Sequence, residues 1–192
     1  MFNLFTSLFL FVSLISCGQT NTTAEDIVHK QDSIVYIQKS IRFIKEVMWK
    51  EMSDTQFILS SKPFDFTYFE CTEEFLLDTN FLSKDERNLF KDKQYPHIFQ
   101  WTKELFTNAK LINGDTINAI FVNRLKRWEY FYTHIGNAFH TFSVPVFLRN
   151  DTYCLFYSDI SCGNLCGEGK LILYKKEHNS WVAIKTYCNW IS

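Results

Sequence analysis

A change of hydrophobic period partway along the chain limits its fold more than any other feature. Between Ala24 and Met52, the residues Ile34, Ile37, Ile41, Ile44, Met48 and Met52 recur at steps of three and four, with no Gly or Pro among them. Such a stripe is the buried face of an α-helix. Thr23 is placed to cap its start, and Glu25 and Asp26 suit the positive end of its dipole. From Phe142 onward the pattern becomes that of strands: Val144 to Arg149, Tyr153 to Ser158, Leu171 to Lys176 and Trp181 to Cys188. Asn150-Asp151 and His178-Asn179-Ser180 supply turns, and Pro145 consigns the first strand to an edge or a strand start. In the last strand Val182, Ile184, Cys188 and Trp190 are expected on one face and Lys185 on the other. The order implies an α+β fold, with a long N-terminal helix and further helices packed on a C-terminal antiparallel β-meander.

The middle of the chain is less regular. Residues 57–75 are aromatic and β-branched in patches, with Pro63, and suit one or two strands of unset register. Ser83-Lys84-Asp85-Glu86 is a capping box, which predicts a short helix running to about Phe90. Pro96 is expected to open another helix toward Phe106. Asn113-Gly114 reads as a turn and Asp115 as a cap. Beyond it Ile117, Ile120, Phe121, Trp128, Phe131, Tyr132 and Ile135 lie on one broad helical face that Gly136 would stop. A strand from Thr116 to Val122 competes for the first half of that helix. Ser161 to Gly169 reads as a Gly-rich loop.

The leader bears on compartment. Leu4 to Ile15 is apolar except for Thr6, Ser7 and Ser13. A membrane-spanning helix needs about 20 residues, so this run instead fits the apolar region of a signal peptide. It ends in Leu14-Ile15-Ser16-Cys17, which resembles the lipobox of bacterial lipoprotein signal peptides at all four places. The resemblance implies a thioether-linked diacylglycerol on Cys17, cleavage before it, and acylation (palmitate, for example) of its new amino group. Met1-Phe2-Asn3 departs from the family in lacking Lys and Arg. The expected division is a signal peptide over 1–16, a flexible tether over 17–24 and a single α+β domain over 25–192. The membrane, reached through the lipid anchor, is the one partner implied, on the non-cytoplasmic side of a bacterial envelope. Each buried CH₂ of such an anchor contributes about 0.8 kcal/mol.

A second resemblance lies near the C-terminus. Phe142-Ser143-Val144-Pro145-Val146-Phe147, the run from Cys162 to Gly169, Trp181 and the terminal Trp190-Ile191-Ser192 together resemble uncharacterised lipoproteins of the Bacteroidota. It covers roughly the last third of the chain firmly and the helices loosely, and it brings no activity with it.

Charge excludes one class of partner. The formal net charge is -1, so no global field draws nucleic acid. Arg124, Lys126 and Arg127 form a short cluster that reads as the solvated face of a helix. With 46% hydrophobic residues and 20 Phe, the chain has ample core material.

No common catalytic motif occurs: no Gly-x-Ser-x-Gly, no His-Glu-x-x-His, no Gly-x-Gly-x-x-Gly. The stretch before Lys170 falls short of a phosphate loop, with Asn164 at the required first Gly and Leu171 after the Lys. No cofactor and no metal site is expected. The histidines 29, 97, 134, 140 and 178 do not cluster, and His134 and His140 straddle Gly136. Beyond Cys17 the cysteines are 71, 154, 162, 166 and 188, an odd number in a compartment that permits disulfides. Cys154 and Cys188 suit small buried hydrophobes. Cys162 and Cys166 leave three readings open: a loop-closing disulfide, two free thiols, or a metal or redox site. The segment Cys162, Gly163, Cys166, Gly167, Glu168 and Gly169 is the candidate functional loop. Catalytic residues are not assigned. A binding or interaction module is the first reading. One alternative is a hydrolase using carboxylates among Glu70, Glu73, Glu74 and Glu168, which a cleft bringing Glu168 or Cys162 against His134 or His140 would favour. The other is a small-molecule binder with a curved-sheet pocket.

Overall fold

The computed structural model describes residues 24–53, 57–65, 70–91, 100–123 and 127–192, with side chains in the first helix described from Ser33 onward. The expected signal peptide, Cys17, the expected tether up to Thr23, Pro96, Arg124 and Lys126 lie outside the described residues. Helices and a mixed seven-stranded sheet make the fold α+β.

Helix α1 spans Ala24–Val47, and Met48 and Met52 continue its hydrogen-bond ladder into a 3-10 turn at Glu51–Ser53. Ile41, Ile44, Met48 and Met52 are buried as the stripe requires, and Ile37 is partly buried. Ile34 departs from the expectation: it is exposed, because contacts with the sheet begin further along, where the Tyr36 hydroxyl donates to Pro145 O at 2.7 Å. Phe43, which the stripe did not include, is the most connected residue of this face. Its ring meets Phe147, Phe156, Tyr174 and Trp181 edge-on, at centroid distances of 5.1–5.9 Å.

Strand β1 is Ile58–Ser60, and α2 is Glu70–Leu77. Of the one or two strands expected within 57–75, the described residues form one, and the segment ends in helix. Helix α3 spans Lys84–Lys91 and opens on the predicted capping box: Ser83 N donates to Glu86 Oε2 at 2.9 Å, and Glu86 N donates to Ser83 Oγ at 3.1 Å. Residues 100–109 form turns rather than the end of a helix. They place Trp101 and Phe106 in the core, and the turns lead into β2, Lys110–Ile112.

Helix α4 is Gly114–Val122, and its cap is Asn113, whose side chain accepts from Asp115 N. The cap thus lies two residues before Asp115, the residue expected to serve. The expected continuous helix is two: α5 is Arg127–His134, and it begins at a residue with φ 41, outside helical space. Gly136 follows α5, but not as a left-handed cap, since no described glycine has positive φ. A Cβ there would lie 2.4 Å from Ile58 Cδ1, so glycine is needed for close approach to β1.

The remaining strands are β3 (Phe139–Phe142), β4 (Val146–Leu148), β5 (Tyr153–Gly163), β6 (Cys166–Glu177) and β7 (Ser180–Ile191). The sheet order is β2-β1-β3-β5-β6-β7, with β4 also paired to β5 beyond the end of β3. The C-terminal ladders are antiparallel as expected. The sheet as a whole is mixed, because β1 pairs parallel with both β2 and β3. Arg149, Asn150 and Asp151 turn with φ of 52, 52 and 62°, and His178-Asn179 close the last hairpin with φ of 50 and 68°. Asn and Asp tolerate this region better than most residues.

Both faces of the sheet are covered. On one, α1 packs over Leu59, Phe142, Cys154, Phe156 and Tyr174. On the other, Phe75 and Leu82 cover Leu155, Leu171 and Leu173, while α4 and α5 cover Ile58 and Phe139. Two bulges in β7 shift its alternation, so Lys185 stands opposite Leu173 and Cys188 opposite Leu171. Lys185 thus shares a face with Cys188, contrary to the expected alternation, and ion-pairs with Asp78 at the end of α2. Among the described residues, no helix is long and apolar enough to cross a membrane.

Phe43→Ala is expected to cost about 3–5 kcal/mol of unfolding free energy, the range for removing a buried aromatic ring. Ile34→Ala on the same helix is expected to cost less than about 0.5 kcal/mol. Urea unfolding of the two variants, monitored by circular dichroism, checks the contrast.

Candidate functional site

The segment expected to be a Gly-rich loop is the tip of a hairpin. Strand β5 runs on to Gly163, Asn164-Leu165 make the turn, and β6 starts at Cys166. Pairing continues through Asp159↔Gly169, Ile160↔Glu168 and Ser161↔Gly167 to Gly163↔Cys166. The glycines mislead because they serve proximity rather than turning. A Cβ on Gly169 would lie 2.1 Å from the Trp190 Nε1 and 2.7 Å from the Tyr157 hydroxyl, and one on Gly163 would lie 2.9 Å from the Tyr132 hydroxyl.

Cys162 and Cys166 form a disulfide, with Cα atoms 5.0 Å apart, inside the range a bridge requires. The Tyr132 hydroxyl donates to Cys162 O at 2.7 Å and ties α5 to the tip. Leu165 at the turn is 88% exposed. Cys188 is also in a disulfide, which the buried-hydrophobe reading had not included. Cys154 is a buried free thiol whose pKa burial pushes up, so it is inert as a nucleophile.

Below the tip, on the face that carries α1, lies a cleft of about 180 Å³. Register defines its floor. His140, Ile160 and Glu168 form one row across β3, β5 and β6. Phe142, Ser158 and Lys170 form the next. Ile172 and Tyr174 lie further along β6, and the end of α1 with Glu51 makes the wall. The cleft exists because α1 ends there: Phe43 and Ile44 seal the sheet, and the helix stops at Val47.

The cleft brings Glu168 and His140 to one floor but not into contact. Ile160 stands between them, and two strand spacings of about 4.8 Å keep their Cα atoms roughly 10 Å apart. Ser158 and Lys170 are direct cross-strand neighbours. The Lys170 ammonium pairs with Glu168 at 3.0 Å, which suits it to carrying charge rather than to activating a hydroxyl. His134 lies elsewhere, on α5, with its ring stacked on Tyr130 at 4.1 Å and Nδ1 3.0 Å from Tyr130 O. Glu73 and Glu74 are exposed on α2, on the opposite side of the sheet. Ser158, Lys170, Tyr174 and Glu51 were missed. Their signal was the alternation Glu168, Lys170, Ile172, Tyr174, legible only once 166–170 is read as strand.

On the reverse face of the same hairpin, Asp159 is enclosed. Burial raises its pKa from 3.8 to about 6, and hydrogen bonding from Tyr157 and Thr141 offsets this only in part. Its Oδ1 has no hydrogen-bond partner among the described residues. Trp190 Nε1 donates to the Tyr157 hydroxyl at 3.0 Å, and Phe64 stacks on the Tyr157 ring at 4.1 Å.

Among the described residues, no three His, Cys, Asp or Glu side chains are grouped to hold a metal ion. No known family matches the chain, no curated protein matches it, and no solved structure matches its fold.

Two outcomes follow. The folded state favours the protonated Asp159, so this group subtracts stability as pH rises from about 4 to about 6, and the loss then stays constant. Asp159→Asn is expected to stabilise the protein by about 2–3 kcal/mol at pH 8, with the difference vanishing near pH 3. Urea midpoints across that range check the sign. Peptide mapping of unreduced, alkylated protein is expected to recover Cys162 and Cys166 cross-linked, with neither alkylated.

Proposed function

We propose that this chain is a lipid-anchored protein of a bacterial cell envelope whose folded part is a binding module. The observation that carries the anchor is Leu14-Ile15-Ser16-Cys17, directly after a short apolar run and seven positions before Ala24, where α1 begins. In this reading α1 is a strut that joins the anchor to the C-terminal antiparallel strands along its length.

The direction of α1 supports the placement of the binding surface. Tyr36 and Lys39 meet Pro145 and Asp151 at one end of the sheet, whereas Val47 and Met48 border the cleft beside Ile160 and Lys170 at the other. An anchor before α1 therefore leaves the cleft and the disulfide-bridged tip facing away from the membrane. Binding is favoured over hydrolysis because His140 and Glu168 are a strand apart and Lys170 is already paired.

Labelled palmitate is expected to enter the wild-type chain in a lipoprotein-processing bacterium and not Cys17→Ala; equal labelling of both would refute the anchor. Turnover of any ester, amide or glycoside by the full chain, abolished in Ser158→Ala or His140→Ala, would refute the binding reading.

A further inference from the structure

A buried carboxyl oxygen without a hydrogen bond is rare in folded proteins, and its cost rises sharply once the group ionises. Asp159 Oδ1 is such an atom among the described residues. Its row across the sheet is Thr141, Asp159, Gly169 and Trp190, on β3, β5, β6 and β7. Gly169 puts no side chain beside Asp159, and the Trp190 indole fills that place. The indole lies on two glycines: a Cβ on Gly169 would come within 2.1 Å of its Nε1, and one on Gly167 within 3.2 Å of its Cζ3. Its Nε1 donates to the Tyr157 hydroxyl at 3.0 Å, and Tyr157 in turn hydrogen-bonds Asp159.

This cover hangs on the part of the sheet that opens most readily. β7 is an edge strand, paired only with β6, and Trp190 is one residue from its end at Ile191. Tyr187, buried and bonded to Asp78, and Cys188, in its disulfide, pin the strand just before it. Movement is thereby confined to residues 189–192, where Ser192 N donates to Gly167 O at 3.0 Å. Thr141 and Tyr157 stand on interior strands and have no such freedom.

The groups that act on Asp159 are the Tyr157 hydroxyl of its own strand and Thr141 of β3. Burial pushes the Tyr157 hydroxyl further up, so it stays protonated. Phe64, stacked on Tyr157, and Trp190 carry no charge, and Asp65 beyond Phe64 is exposed. Glu73 and Glu74 of α2 are exposed, Asp78 is paired with Lys185, and the Tyr132 hydroxyl of α5 is bonded to Cys162 O. His140, Glu168 and Lys170 occupy neighbouring positions of β3 and β6 and belong to the opposite face.

We infer that Trp190 is a proton-controlled latch: it closes over the protonated Asp159 and lifts from Gly167 and Gly169, together with the end of β7, when the carboxyl ionises and water must reach it.

The closed latch holds Asp159 protonated up to about pH 6, against 3.8 for a free group. The ratio of open to closed therefore rises with pH between about 4 and about 6, by up to about tenfold per unit, and is level above that. Opening removes the outer partners of Glu168, Gly169 and Lys170, which are Ile191, Trp190 and Asn189. The outer support of the cleft floor is thus firmest in acid.

Two NMR measurements on the full chain in detergent micelles test the latch. Exchange of the Trp190 indole N–H, corrected for its intrinsic rate at each pH, is expected to lose about tenfold to a hundredfold of its protection between about pH 4 and about pH 7. The Leu155 amide, in the core, is expected to keep its protection, and Asp159→Asn is expected to hold the indole protection level with pH. The Asp159 carboxyl carbon is expected to titrate near pH 6 in the wild type and close to the ordinary 3.8 in Trp190→Ala, because the coupling is reciprocal. Gly169→Ala, whose Cβ displaces the indole, is expected to lower that titration likewise and serves if Trp190→Ala does not fold. Wild-type indole protection independent of pH, or an equal loss in Asp159→Asn, would overturn the latch. So would an Asp159 titration left unchanged by displacing the indole.

Discussion

The fold depends on one aromatic ring on α1. Phe43 inserts among rings from four successive strands: Phe147 of β4, Phe156 of β5, Tyr174 of β6 and Trp181 of β7. Each edge-to-face contact adds about 0.5–1.5 kcal/mol beyond the area it buries, and the geometry admits little rotation of the helix about its axis. Polar contacts flank the ring on the same helix. Lys39 reaches Asp151 at 2.6 Å and lies over the Phe147 ring, while the Glu46 carboxylate accepts from Trp181 N at 2.7 Å. The helix is thereby fixed in azimuth and along its axis, so the point where it ends over the sheet is fixed too. The uncovered rows from His140 to Glu168 and from Ser158 to Lys170 follow from that end point.

The opposite face is stabilised differently. There, Arg149 joins the β4–β5 turn to α3 through Glu86, whose carboxyl Arg149 holds below its usual pKa, and it also donates to Phe81 O. Asp78 accepts from Lys185 and from the Tyr187 hydroxyl, at 2.8 Å, and these bonds hold it ionised and bind α2 to β7. Asp159 is the exception, a carboxyl enclosed without full satisfaction. It lies directly behind the cleft floor, across β5 from Ser158 and Ile160, so the sheet there carries polar groups on both faces. Such a strand segment gains less from burial than its neighbours do, and Trp190, lying over Gly169, keeps water from that side.

Much of this was legible in the sequence, for reasons that can be named. The helical stripe from Ile37 to Met52, the capping box at Ser83 and the strands after Phe142 each rest on local chemistry that tertiary contacts reinforced. The errors arose where a residue serves a distant neighbour. Gly136, Gly163 and Gly169 read as turn formers, yet each is required because a side chain from another element lies against its backbone. Phe43 falls one place off the isoleucine row, so periodicity alone gave it no weight. The bulges in β7 reverse the face of Lys185, and alternation cannot foresee an inserted residue. The parallel partners of β1 are short and far apart in the chain, and three-residue strands carry little pattern.

That 161–169 is a ladder and not a loop changes the physics of any recognition there. A loop of that length would lose conformational freedom on binding, and this loss would subtract from affinity. Here Ser158, Glu168 and Lys170 stand on paired strands, so their spacing is set before a ligand arrives. The disulfide contributes little through loop closure, because only three residues separate Cys162 from Cys166. Its effect is local. The ladder is irregular between Ser161 and Gly163, where β5 carries a bulge, and an open hairpin end would fray from that point. The bridge and the Tyr132 hydroxyl bond to Cys162 O close the end beyond the bulge, so fraying cannot propagate to Glu168 and the cleft floor.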